Sequence, residues 1–309
     1  MAGFVVLVWA ADRFVLGAAG IARNLGVRPL VIGLTVVGFG TSAPELLVSA
    51  MAAGSGAQDM SIGNALGSNI ANISMVLGAA ALVAPMDVKG TVLRRELPLL
   101  VGCMLLATGL MWDGSLDRVD GAILGLALVV MMGWVIRLGL RSENPDVTTE
   151  ELPDPIPSGH AALWVVVGIA LLLGSSRLLV WGASTVALNL GVPNLVVGLS
   201  IVAIGTSLPE LAASVMAARR GEHELAVGNV IGSNMFNTLG VLSLPGLIRP
   251  APVSDMVLTR DVPAMFGITF LFFLMARFFL TRSVITRFEG AVLVTCFVGY
   301  QVAVYITAG

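Results

Sequence analysis

Two short polar motifs, each written twice in apolar surroundings, hold the side chains able to do chemistry. The first is Gly40-Thr41-Ser42-Ala43-Pro44-Glu45, which returns as Gly205-Thr206-Ser207-Leu208-Pro209-Glu210. The second is Gly63-Asn64-Ala65-Leu66-Gly67-Ser68-Asn69-Ile70-Ala71-Asn72, which returns as Gly228-Asn229-Val230-Ile231-Gly232-Ser233-Asn234-Met235-Phe236-Asn237. Glu45 and Glu210 are the only ionisable residues in the four apolar stretches that contain these motifs. A carboxylate in such a stretch is costly unless it faces a partner or a wet cavity. One such glutamate could be a structural side chain bonded to a neighbouring helix, but two in equivalent places argue for a site.

The donor set is made of oxygen. Residues 38, 41 and 45 are spaced three and four apart and share one helix face, which offers a carbonyl, a hydroxyl and a carboxylate. Pro44 and Pro209 cannot donate to the helix ladder and free the carbonyls of Gly40 and Gly205, so each helix is expected to bend or unwind there. Ser42 and Ser207 add hydroxyls. Asn64, Ser68 and Asn72 fall on one stripe, as do Asn229, Ser233 and Asn237. Asn64, Asn69, Asn229 and Asn234 read first as interhelical glue, whereas Ser68, Ser233, Asn72 and Asn237 read first as ligands. Gly63/Gly67 and Gly228/Gly232 are small-xxx-small pairs that allow close backbone approach. His160 and His223 sit at connections, and Cys103 and Cys296 lie in apolar runs as thiols without chemistry. Soft metals want sulfur or imidazole. Two carboxylates with hydroxyl, amide and backbone oxygens suit a hard cation, calcium above all, and Na+ can use the same oxygens.

Charge then dictates how such a site behaves. Two carboxylates a few ångströms apart in low dielectric repel strongly, so a dry occluded state needs cations to neutralise them. One Ca2+ does so, and so would two or more Na+ or protons. A bare site does not switch sides easily, which makes exchange obligatory.

The elements that position these residues are membrane helices. Of 309 residues 57% are hydrophobic and 12% charged, mean hydropathy is +0.94 and net charge is −2. This balance excludes a soluble enzyme, a disordered chain and a nucleic-acid binder. Ten segments are long enough to span a bilayer: 3–22, 29–53, 61–84, 96–112, 119–140, 161–187, 193–217, 225–248, 262–280 and 286–307. The first lacks the basic flank of a signal peptide. Residues 33–78 align with 198–243 at a constant offset of 165, with 22 of 46 positions identical. The likeness extends outward, where Arg95-Glu96-Leu97-Pro98 pairs with Arg260-Asp261-Val262-Pro263. Five helices per half put the second half in the opposite sense, so the expected fold is an all-α integral membrane protein of ten transmembrane helices in two inverted five-helix repeats, 1–141 and 160–309. The connection 142–159 is acidic and Pro-rich and reads as a short solvated linker. With the N-terminus outside, cytoplasmic connections hold Arg23, Arg28, Lys89, Arg94, Arg95, Arg137, Arg141, Arg219, Arg220, Arg277, Arg282 and Arg287, against Arg118, Arg249 and Arg260 outside. That asymmetry places both termini outside and the linker in the cytoplasm.

The doubled GTSxPE and GNxxGSNxxN pattern resembles the sodium/calcium exchanger family of the cation/calcium antiporter superfamily, over nearly the whole chain. The short central loop looks like its prokaryotic members. The resemblance implies a secondary antiporter that exchanges Ca2+ for Na+ by alternating access in the cell membrane, not an enzyme. It implies a central calcium site from Glu45, Glu210, Thr41 and Thr206. It also implies flanking sodium sites from Ser68, Ser233 and the carbonyls of Gly38 and Ala203, with Asn72 and Asn237 at the remaining corners. Helices 3–22 and 161–187 would act as a gate, with Asp12, Arg13 and Arg177 in structural or snorkelling roles. Well-known members carry Asp where this chain has Asn237. Both corners are therefore Asn, which bears on stoichiometry and leaves H+ as an alternative counter-ion in a Ca2+/H+ exchanger of the same fold. The expected partners are Ca2+, Na+ and the lipid bilayer, with no nucleic acid and no cofactor, in a monomer. An intramembrane hydrolase would need a nucleophile with its base or a metal-activated water, and no HExxH, Cys or His lies among these motifs. A cation channel would need no counter-ion.

Overall fold

Proline and glycine punctuate a chain that is otherwise rich in helix formers, and the helices begin and end where they stand. The computed structural model describes residues 2–90, 92–141, 156–191, 203–278 and 284–307. Helix α1 runs Ala2–Asn24. Helices α2 (Pro29–Thr41) and α3 (Ala43–Ser55) form one stretch bent by 44° at Ser42. Pro29 opens α2 at a position where its missing N–H costs nothing. Pro44 sits in the first turn of α3, so the break expected from its ring is present. Gly56, at φ 87°, closes α3, and the Ala57 N–H reaches the Ala52 carbonyl at 2.8 Å.

Helix α4 spans Gln58–Val83. Helix α5 (Leu97–Leu110) follows a π-helical turn at Val92–Glu96, and α6 covers Arg118–Arg141. Helix α7 runs Ser158–Asn189. Helices α8 (Ala203–Thr206) and α9 (Leu208–Arg219) repeat the break, now at Ser207 ahead of Pro209. Gly221, at φ 78°, closes α9 as Gly56 closes α3, with Glu222 N–H on the Ala217 carbonyl at 2.9 Å. Helix α10 spans His223–Ile248, α11 Val262–Phe278 after a π turn at Val257–Asp261, and α12 Arg287–Thr307.

Among the described residues seven helices are long and apolar enough to cross a membrane, and eight with the bent pair α2–α3. The expected segment 96–112 forms the 14-residue α5. The first part of segment 193–217 and the linker as far as residue 155 lie outside the described residues. The segments 61–84 and 225–248 form the long helices α4 and α10, but neither is α-helical throughout. A π-helical turn interrupts α4 at Asn72–Val76 and another interrupts α10 at Asn237–Val241. Such turns widen the ladder by one residue and occur often at functional sites.

The core is the pair α4 and α10: the apolar window of α10 is wholly buried, whereas that of α12 is mostly exposed. Two short antiparallel bridges tie distant connections together. β1 (Met86–Asp87) pairs with β4 (Val284–Ile285), and β2 (Ser115–Leu116) with β3 (Ala251–Pro252). Helix α1 lies along α7, where Phe14 packs on Gly168 and Gly17 on Ala161.

Candidate functional site

The breaks decide where the carboxylates go. Glu45 and Glu210 occupy the first turns of α3 and α9, at helix N-termini where the peptide dipoles favour negative charge. Both are 0% exposed. Ser42 Oγ donates to Glu210 Oε1 at 3.4 Å. Thr206 and Ser207 stand beside Glu45. Among the described residues neither oxygen of Glu45 has a hydrogen-bond partner, nor does Glu210 Oε2.

Helix α10 crosses α2 with its backbone in contact. A Cβ on Gly228 would sit 2.6 Å from the Leu30 carbonyl oxygen, and one on Gly232 would sit 2.5 Å from that of Leu34. At this crossing Ser233 Oγ donates to the Gly38 carbonyl at 3.4 Å and lies 3.3 Å from Thr41 Oγ1. Thr41 Oγ1 reaches both the Val37 carbonyl and Asn229 Oδ1 at 3.1 Å. The structure thus brings together Gly38, Thr41, Ser233 and Asn229. Their counterparts are less complete. Ser68 is buried on α4, but no hydrogen bond joins it to Ala203 among the described residues. Among the described residues nothing comes within 4 Å of a Cβ on Gly63 or Gly67, and the equivalent partner segment, 195–199, lies outside them.

The four glue asparagines behave as such. Asn64 Nδ2 bonds the Glu45 carbonyl at 3.1 Å and Ser49 Oγ at 3.0 Å. Asn229 Nδ2 bonds the Glu210 carbonyl at 3.4 Å and Ser214 Oγ at 2.8 Å. Asn69 Nδ2 reaches Thr238 Oγ1 at 2.7 Å, and Asn234 Nδ2 reaches the Asn69 carbonyl at 3.2 Å. Asn72 and Asn237 differ: they are 1% and 0% exposed, and none of their amide atoms has a partner among the described residues. Buried polar atoms without partners are rare in folded proteins and ask for an explanation. Among the described residues half of such atoms fall on Glu45, Asn72, Ser207, Glu210 and Asn237, residues that the sequence marks as ligands. Among the described residues no group of three or more His, Cys, Asp or Glu converges.

Sequence reasoning missed several supports. Ser176 on α7 donates to the Gly205 carbonyl at 2.8 Å, and Pro209 is the residue that leaves that carbonyl free. Arg220 Nε donates to Asp12 at 2.8 Å, tying α1 to the end of α9. Glu224 accepts from Arg28 at 3.0 Å and Lys89 at 2.9 Å and caps α2 through the Leu30 N–H. Arg13 lies against the rings of Trp9 and Trp164.

A membrane-spanning helical bundle with a doubly acidic, oxygen-lined centre is the build of an ion carrier. Residues 1–137 and 160–306 match the sodium/calcium exchanger protein family, and the chain belongs to that family of antiporters. CaxA of Alkalimonas amylolytica, whose name proposes an antiporter, is 47% identical over 97% of this chain and 96% of its own. The sodium/calcium exchanger MaX1 of Methanosarcina acetivorans is 32% identical over 98% and 96%. A solved structure of the sodium-calcium exchanger NCX_Mj superposes with a TM-score of 0.83 at 32% identity, covering 96% of this chain and 94% of that one.

Proposed function

We propose that this protein exchanges Ca2+ for Na+ across the cell membrane by alternating access, at a single cage between the breaks of α2–α3 and α8–α9. Glu45 and Glu210 hold the calcium with Thr41 and Thr206, assisted by Ser42 and Ser207. Ser233 with the Gly38 carbonyl, and Ser68 with the Ala203 carbonyl, hold sodium, while Asn72 and Asn237 supply amide oxygens at the corners. The observation that carries this reading is the set of buried oxygens that have no partner among the described residues, on Glu45, Glu210, Asn72 and Asn237. Such groups are expensive unless a cation takes them up.

In this reading ten helices form two inverted five-helix repeats, 1–141 and 160–309, joined by the cytoplasmic linker 142–159, with both termini outside. Two observations support it. The π turns at Asn72 and Asn237, and those at Val92 and Val257, recur at the offset of 165. Each β bridge joins two connections that this topology puts on the same face. The carrier works as a monomer without a cofactor.

Flux in vesicles tests the counter-ion. Radiolabelled calcium uptake is expected under an outward Na+ gradient and not under a pH gradient with Na+ absent. Uptake only under the pH gradient would replace Na+ by H+, a reading for which the neutral Asn237 leaves room. Acid on the side that supplies calcium is expected to slow exchange in either case. Protonation removes the negative charge a cation needs, so activity should fall as pH falls, and rates unchanged down to about pH 5 would count against carboxylate ligands.

A further inference from the structure

Helix α7 lies across both breaks and holds them differently. Ile169, Ser176 and Val180 are spaced seven and four apart and share one face of α7. From Ile169 to Val180 that face runs about 16 Å. At one end a Cβ on Gly40 would sit 2.5 Å from Ile169 Cδ1, and at the other a Cβ on Gly205 would collide with Val180. Both break glycines therefore let α7 come close to their backbone. At Gly40 the contact is apolar. At Gly205 it is polar as well: Ser176, 3% exposed, donates its hydroxyl to the carbonyl at 2.8 Å. Pro209 has no N–H to offer that carbonyl. The neighbouring Ser175 behaves otherwise and bonds the Leu171 and Leu172 carbonyls of its own helix.

We propose that Ser176 is a positioning residue for the cation site: its bond to the Gly205 carbonyl holds the α8–α9 break in the bend that carries Thr206 and Glu210, so the placement of α7 sets how tightly cations bind. The proposal rests on the exchange reading above, which puts Ala203, Thr206, Ser207 and Glu210 of this break among the ligands. The α2–α3 break is gripped from the core, by backbone contact with α10 and by Ser233 on the Gly38 carbonyl. The apolar window of α10 is wholly buried, whereas 28% of that of α7 is. The second break is thus tied to a helix that the core surrounds far less. Without the hydroxyl, a buried carbonyl loses its donor, which is unfavourable until the backbone turns to find another. Gly205 has no Cβ to resist that turn. Thr206 is the next residue along, so the ligands turn with it. Ser176 itself touches no ion and acts through Gly205.

The test measures radiolabelled calcium binding at equilibrium on the full-length protein in detergent, beside uptake in vesicles and a melting curve. Ser176→Ala is expected to raise the half-saturating calcium concentration about tenfold in both assays, in line with the loss of one buried hydrogen bond. Its maximal uptake rate should stay within about threefold. Ser176→Thr keeps the hydroxyl and is expected to keep the affinity. Ser176→Cys keeps a weak donor and should fall between the two, which leaves a readable variant if Ser176→Ala does not fold. Ser175→Ala is expected to bind calcium like the unmodified protein. A lowered melting temperature in Ser176→Ala or Ser176→Cys with calcium affinity unchanged would make the bond merely structural and overturn the proposal. Equal losses in Ser175→Ala, or in Ser176→Thr, would overturn it too, because packing rather than the bond would then be at work. No calcium binding by the unmodified protein is a distinct result, which would overturn the exchange reading and this inference with it.

Discussion

Replacing either central glutamate with glutamine is expected to reduce calcium exchange about a thousandfold, with thermal stability unchanged or slightly raised. A unit-charge pair about 4 Å apart is worth about 4 kcal/mol at an effective dielectric of 20, which is close to three decades in affinity. Glutamine keeps the shape and one oxygen but leaves the closed cage with a single negative charge, too little to neutralise a divalent ion. Stability should not suffer, because among the described residues neither oxygen of Glu45 has a hydrogen-bond partner and Glu210 accepts a single long bond from Ser42. Removing a buried charge relieves desolvation. Radiolabelled uptake beside a melting curve in detergent checks both halves of the expectation. Transport like that of the unmodified protein in Glu45→Gln or Glu210→Gln would mean the cage lies elsewhere. A loss confined to one of the two would mean the halves do not share one ion.

Much of the centre is legible in the sequence because its constraints are local. A carboxylate in an apolar run and a proline four residues after a glycine each have a local physical consequence, and a small-xxx-small pair permits a close crossing. The 44° bend at Ser42 and the backbone contact of Gly228 and Gly232 with α2 follow directly. What the sequence withholds is non-local. Pro209 shows that the Gly205 carbonyl needs a donor, but not that Ser176, 29 residues earlier, supplies it. At the position matching Ser176 the first half has Ala11, so the two breaks are supported differently despite near-identical motifs. The π turns at Asn72 and Asn237 are also invisible beforehand. They insert one residue into a ladder whose side-chain pattern still reads as α-helix. Arg220 could be placed at a membrane face from its charge, but its pairing with Asp12 required knowing that α1 lies against α9.

The crossing of α2 and α10 sets up the second large effect, Gly232→Ala, expected to cut exchange more than about tenfold and lower the melting temperature by a few degrees. The added Cβ would stand 2.5 Å from the Leu34 carbonyl oxygen and 2.7 Å from Leu34 Cα. Both are backbone atoms and cannot swing aside, so α10 must back away from α2. Overpacking of this kind costs about 1–3 kcal/mol. Function pays more than stability does, because the next residue, Ser233, bridges to Gly38 and Thr41 at 3.4 and 3.3 Å, near the outer limit of a hydrogen bond. Any retreat of α10 separates those oxygens, and a ligand shell tolerates little loss of geometry. Gly102→Ala in α5 provides the contrast, since none of the described residues comes within 4 Å of a Cβ there. Glycine to alanine in an open helical position should raise stability by up to about 1 kcal/mol and leave exchange within about twofold. If Gly232→Ala behaved like Gly102→Ala, the close crossing of α2 and α10 would not be what holds the ligands in place.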